Sequence, residues 1–194
     1  MESKNGLAIL LGSGFLVAFL IVAGQRSQDS EQARAFAQAA TWPDIPRQQA
    51  FMLIDRYGPP QHISEASMEW EGRWPWKRVS VSAEHPLSPL TETVSCRIPQ
   101  NKLSDLARYP HGLMADARRG ELSARSNRED LNFLSLNLAM DILTDQRTPE
   151  QASEYFNRAI GLHYAGKSVP YMDKLLFDVP PFPPRGRIWF DSKI

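Results

Sequence analysis

The N-terminal 25 residues constrain this chain more than any other stretch. From Asn5 to Gln25 no side chain carries a formal charge, and the apolar part runs from Leu7 to Ala23. At the rise of an α-helix such a run spans roughly 30 Å, the thickness of a bilayer hydrocarbon core. The reading predicts a transmembrane anchor over residues 1–24. Val22-Ala23-Gly24 also supplies the small residues of a signal-peptide cut, so a retained anchor and a cleaved signal are both open; the length of the run favours the anchor. Lys and Arg are not decisively unequal across its two ends. A short N-terminus ahead of a large C-terminal domain reads as N-in, which would put the domain on the periplasmic side. Ala8 and Gly12, and likewise Gly14 and Ala18, are spaced i, i+4, the separation that lets membrane helices pack closely.

Beyond the apolar run, residues 25–45 are polar and rich in Gln and Ala, then stop at Trp42-Pro43 and Pro46. They read as a helical stalk. A globular domain is expected over 46–178, followed by a Pro-rich aromatic tail over 179–194. The fold class expected is α+β: a transmembrane helix and stalk, then a small antiparallel sheet packed with three to four helices.

The periods within the domain support this. Ala50, Phe51, Leu53, Ile54 and Tyr57 recur at helical spacing and stop at Gly58-Pro59-Pro60. Ala66, Met68 and Trp70, then Val79, Val81 and Ala83, alternate as in a hairpin, with Gly72-Arg73-Trp74-Pro75 as a loop of more than two residues. A third strand is expected over Thr91–Ile98, a short helix after Pro99, and a hairpin turning at Gly120. Ser126-x-x-Glu129 and Thr148-x-x-Gln151 both have capping-box spacing ahead of two long helices, about 127–145 and 149–166. The first is apolar on almost every side and reads as the central buried helix. A last strand, Lys174 to Asp178, is expected to rejoin the sheet.

Charge and cysteine content exclude several functions. Lys plus Arg and Asp plus Glu are equal at 22 each, so a strongly basic nucleic-acid binder is excluded, and no nucleic-acid motif is present. A single cysteine, Cys96, excludes an intrachain disulfide and a thiolate-rich zinc site. His62, His85, His111 and His163 show no metal-ligand spacing, so neither a metal nor a cofactor is expected. There is no nucleophile elbow, phosphate loop or dinucleotide fingerprint.

Four features invite a functional reading. Trp70 to Arg78 packs three tryptophans and three cations into nine residues. Either these side chains cover the hairpin core, or Arg73, Trp74, Trp76, Lys77 and Arg78 form an interaction surface. From Arg73 to Arg128 there are ten Lys or Arg against five Asp or Glu, a basic middle suited to an acidic partner or to anionic headgroups. His163 falls on the apolar face of its helix, and Cys96 sits beside Arg97; both read more readily as structural than as catalytic. Asn137 and Asp141 share a face of the apolar helix and need partners, for which Arg119, Arg125 and Arg128 are candidates. Phe182, Trp189 and Phe190 in the Pro-rich tail suit a groove, either on this domain or on a partner.

Tyr57-Gly58-Pro59-Pro60, Trp76-Lys77-Arg78, Arg119 to Arg125, Asn132-Phe133-Leu134 and Asn137-Leu138-Ala139 with Asp141-Ile142 together resemble an uncharacterised bacterial family of conserved hypothetical proteins. The resemblance covers roughly residues 50–165 and implies a small module without a catalytic assignment.

The expectation is therefore a single-pass, membrane-anchored accessory or interaction subunit of a larger membrane complex, with an energy-transducing complex as one candidate, structural rather than catalytic. Its partners would be the other subunits and the lipid bilayer. The alternative is a periplasmic ligand-binding or sensory domain using the Trp-rich loop.

Overall fold

The computed structural model describes residues 28–180. The chain forms helix α1 over residues 28–39 and helix α2 over Asp44–Tyr57. Strands β1 (His62–Ile63), β2 (Ser67–Arg73), β3 (Trp76–Ser82) and β4 (Leu90–Ser95) follow. A 3-10 turn at Gln100–Lys102 leads into α3 (Leu103–Ala107), then β5 (Leu113–Asp116) and β6 (Glu121–Ser126). Helices α4 (Glu129–Leu143), α5 (Pro149–Tyr164) and α6 (Pro170–Asp173) complete the described chain. All neighbouring strands are antiparallel, in the order β1-β2-β3-β4-β6-β5. The architecture is α+β.

Strand alternation builds the core. Met68 and Trp70 on β2, Val79 and Val81 on β3, Leu90 and Val94 on β4, and Leu122 and Ala124 on β6 are all buried. Helix α4 crosses β4, β6 and β5, while α2 lies on β2 and β3. Leu134, Leu136, Leu138, Ala139 and Ile142 make α4 the central buried helix. Gly58, at a φ of 76° that favours glycine, ends α2, and its N–H donates to the Ile54 carbonyl.

Several expectations are corrected. No helix among the described residues is long and apolar enough to cross a membrane. The most apolar, α4, has 15 residues and reaches only about 23 Å. Its Asn132, Asn137 and Asp141 are buried against protein partners. The membrane-anchored, single-pass placement is withdrawn on this finding, and with it the transmembrane part of the fold class and the periplasmic side. Residues 1–24, with Ala8, Gly12, Gly14 and Ala18, lie outside the described residues.

Residues 28–39 are helical, as expected of the stalk, but pack on the domain. Ala35 and Ala39 are fully buried, and Phe36 meets Phe51 of α2 edge-on at 5.3 Å. Gln38 Nε2 and Trp42 Nε1 both donate to the Glu65 carbonyl, at 2.9 Å each.

The β2–β3 connection is a two-residue turn, Trp74-Pro75, because Arg73 pairs with Trp76; the Trp74–Pro75 peptide is cis. The box expected at Ser126 does not form. Ser126 Oγ instead binds the backbone N–H and carbonyl of Arg128, and α4 starts without a side-chain cap. The box at Thr148 and Gln151 forms in full. Residues 174–178 are not a strand. Asn137 takes their backbone polar groups, donating to the Tyr171 and Lys174 carbonyls and accepting from the Leu176 N–H, all within 2.9 Å. The segment is so pinned to α4 and adds no strand to the sheet.

One glycine is sterically required. At Gly112 (φ 70°) a Cβ would sit 2.1 Å from the Arg125 carbonyl oxygen, where the β5 and β6 backbones meet.

Candidate functional site

The hairpin bearing the tryptophan cluster divides it. Trp76 is 2% exposed and stacks on Phe133 of α4 at 5.5 Å, so it belongs to the core. Trp74, at the turn, is 68% exposed. Arg73 donates to the Tyr57 carbonyl at 3.1 Å and lies over the Tyr57 ring. Lys77 and Arg78 both pair with Glu121, at 2.9 and 3.0 Å, and Arg78 also reaches Glu69 at 3.5 Å. These cations hold the Glu121 carboxyl below the usual range against the opposing effect of burial. Two of the three cations are thus compensated within the sheet, and the two tryptophans of the loop share no surface. Phe182, Trp189 and Phe190 lie outside the described residues.

The groups suggestive of catalysis are occupied or quenched. His163, expected on a buried face, is 38% exposed because α5 outruns the core at its C-terminal end, where Leu162 and Tyr164 are also exposed. It contacts Arg128 at 2.9 Å and Asp130 at 3.6 Å. His111 stacks on Phe156 at 3.9 Å, and burial lowers its pKa. Burial pushes the Cys96 thiol up, away from the thiolate a nucleophile needs. His62, Glu69 and Glu71 on β1 and β2 bring ligand atoms within 4.8 Å of one another. That group is mostly exposed, and Arg78 already sits by Glu69.

Asn137 and Asp141 do form a polar network, but Arg147 and Tyr171 serve it instead of the arginines expected. Arg147 Nη1 binds Asp141 Oδ2 and donates to the Tyr171 hydroxyl at 2.9 Å; that hydroxyl donates to Asp141 at 3.0 Å.

An unexpected feature is Glu92. It is 1% exposed on the helix-facing row of β4, between Leu90 and Val94. Asn132 Nδ2 of α4 donates to its Oε2 at 3.0 Å. Glu129 stands within hydrogen-bonding reach, itself bound through both oxygens by Arg56 Nη1 at 2.9 Å. Burial, reinforced by the Glu129 charge, raises the Glu92 pKa well above the ordinary carboxyl value. Asn132 is the side-chain donor on Glu92, and the neighbouring Glu129, paired with Arg56, adds to burial in disfavouring the Glu92 carboxylate. The pattern Leu90-x-Glu92-x-Val94 carried the signal, since alternation puts Glu92 on the apolar face.

An open cleft lies at one end of the sheet. Where β4 leaves toward α3 and β5 turns into β6, a cleft of about 750 Å³ opens against the C-terminal end of α4. Ile98, Met140, Leu143 and Phe177 contribute apolar side chains to it, and Arg97, Arg118 and Arg119 join them. All three arginines are exposed. Arg97 and Arg118 make no ion pair among the described residues, and Arg119 reaches only Asp116, at 3.8 Å. Arg97 and the 118–119 pair are far apart in sequence. The β4–β6 pairing, Ser95 opposite Glu121, brings them to one rim.

Comparison of this chain with family models, curated proteins and solved structures finds no match.

Proposed function

We propose that the described domain is a docking module, an accessory rather than a catalytic protein, which holds an acidic segment of a partner protein in the cleft at the β4–β6 end. One observation carries it: three exposed arginines, two without an ion pair among the described residues, surround an apolar floor. An acidic segment bearing one or two apolar side chains matches both parts of that surface. Apolar contacts there would supply affinity, and the arginine rim would supply orientation and rate. Asp178, the acidic side chain in the lining, leaves the rim net positive. Trp74, exposed at the β2–β3 turn, is a single aromatic and is not in the cleft lining, so it is given no docking role.

The test reverses the charge. A variant carrying Arg97→Glu, Arg118→Glu and Arg119→Glu should fold as the parent does by circular dichroism, since all three side chains are exposed. Quantitative capture from a lysate with parent and variant should give a set of proteins retained by the parent, weakened by added salt and lost at least tenfold on the variant. Equal capture by both would dismiss the cleft as the docking surface.

A further inference from the structure

We propose that a second cleft, between the α4–α5 connection and α6, binds a small oxyanion through Arg147 and Arg158, in the form of a phosphate or carboxylate group on a small molecule. The cleft encloses about 540 Å³, a volume typical of small-ligand sites. Its lining is polar and aromatic, with Gln146, Gln151 and Glu154 beside the two arginines and Tyr155 and Tyr171.

Arg147 is already positioned. One nitrogen, Nη1, is committed to Asp141 and the Tyr171 hydroxyl. The guanidinium lies 4.6 Å from the Tyr155 ring centroid and 5.3 Å from that of Tyr171, and those two rings are 5.1 Å apart. Its remaining nitrogens, Nε and Nη2, make no hydrogen bond among the described residues and are not buried orphans. An arginine that only closed off buried Asp141 would need one edge of its fork. Here the second edge remains open, with the side chain 26% exposed. A fork held on one side meets a two-oxygen anion bidentately on the other, at little further cost in side-chain entropy.

Arg158 adds the second charge. Its guanidinium lies over the same Tyr155 ring at 5.2 Å and makes no ion pair among the described residues. Gln151 Oε1 accepts the Thr148 N–H, which leaves its Nε2 as a further donor without a partner among the described residues. Asp141 offsets Arg147, and Glu154 stands in the same lining as Arg158, so affinity for a lone anion should be modest and should depend on geometry more than on net charge.

Binding is read by titrating the full chain, isotope-labelled, with inorganic phosphate and, separately, with succinate, against sodium chloride at matched ionic strength. Saturable shifts at Arg147, Tyr155, Arg158 and Tyr171 are expected with at least one anion and not with chloride. Saturation with phosphate alone assigns a phosphate ester, with succinate alone a carboxylate; either supports the site. Arg158→Gln, an exposed change that leaves the Asp141 network intact, should weaken binding at least tenfold without altering the melting temperature. Arg147→Lys, which keeps the charge and loses the fork, should do the same if the chain remains folded. Shifts that chloride reproduces, or binding unaffected by Arg158→Gln, would overturn the proposal. The charge-reversed variant of the β4–β6 cleft should bind the anion as the parent does, so the two sites fail independently.

Discussion

Replacing Glu92 by Gln should stabilise the domain at neutral and alkaline pH, against the usual expectation for a buried polar substitution. The carboxyl is 1% exposed, and burial is the largest cause of its raised pKa. A group whose pKa is raised on folding contributes its full stability below its unfolded value, roughly pH 4.3, and loses it as pH rises through the folded value. Within that window the folded state holds one more proton than the unfolded state. Each pH unit therefore costs about 1.4 kcal/mol. The amide copies the protonated acid: its NH2 can donate to Glu129 and its oxygen can accept from Asn132 Nδ2. It carries no proton to lose, so it should remove this slope. Urea unfolding of parent and variant at pH 5, 6, 7 and 8 tests this. The difference should grow in the variant's favour with pH, by up to about 1.4 kcal/mol per unit, until the folded pKa is passed. The Arg56–Glu129 pair is present in both proteins and cancels in the difference. Parallel stability curves, or a variant less stable at pH 8, would mean that Glu92 is held as a carboxylate and would refute the reasoning.

Two other outcomes follow from the packing. Asn137→Ala removes three hydrogen bonds to the backbone of residues 171–176 and should cost about 2–4 kcal/mol; limited proteolysis should then cut near Lys174, which the parent resists. Trp76→Ala should cost about 3–5 kcal/mol for the lost stack on Phe133, while Trp74→Ala should change stability by no more than about 0.5 kcal/mol, both read from urea midpoints.

The contrast between those two tryptophans marks where sequence reasoning stops. Trp74 and Trp76 are two residues apart in a run of cations, and composition alone groups them on one surface. Register separates them, since Arg73 opposite Trp76 makes Trp74 the exposed turn. Local patterns were sufficient wherever one side chain's neighbours lie within a turn or a strand pair. The period of α2, the alternation of β2 and β3, the apolar wrap of α4 and the box at Thr148 are of that kind, because propensity and capping act over three or four residues. The α+β class followed from them. Similar local logic failed at Ser126, whose hydroxyl met the Arg128 backbone first, and at residues 174–178, whose backbone found Asn137 in place of a strand. The membrane-anchored expectation finds no support either, since no helix among the described residues suits a membrane.

What tertiary structure alone decided is the partner of each polar group. Asp141 needed a cation, and several arginines were available in the sequence; the loop after α4 delivered Arg147, with Tyr171 arriving from α6. Arg97 gained its neighbours Arg118 and Arg119 only when β6 inserted between β4 and β5. Glu92 lost its water only when α4 closed over β4. Apolar burial is non-directional and follows periodicity, so it can be read along the chain. Hydrogen bonds and ion pairs are short-ranged and directional, so their partners are chosen by whichever segments the packed core brings within about 3 Å.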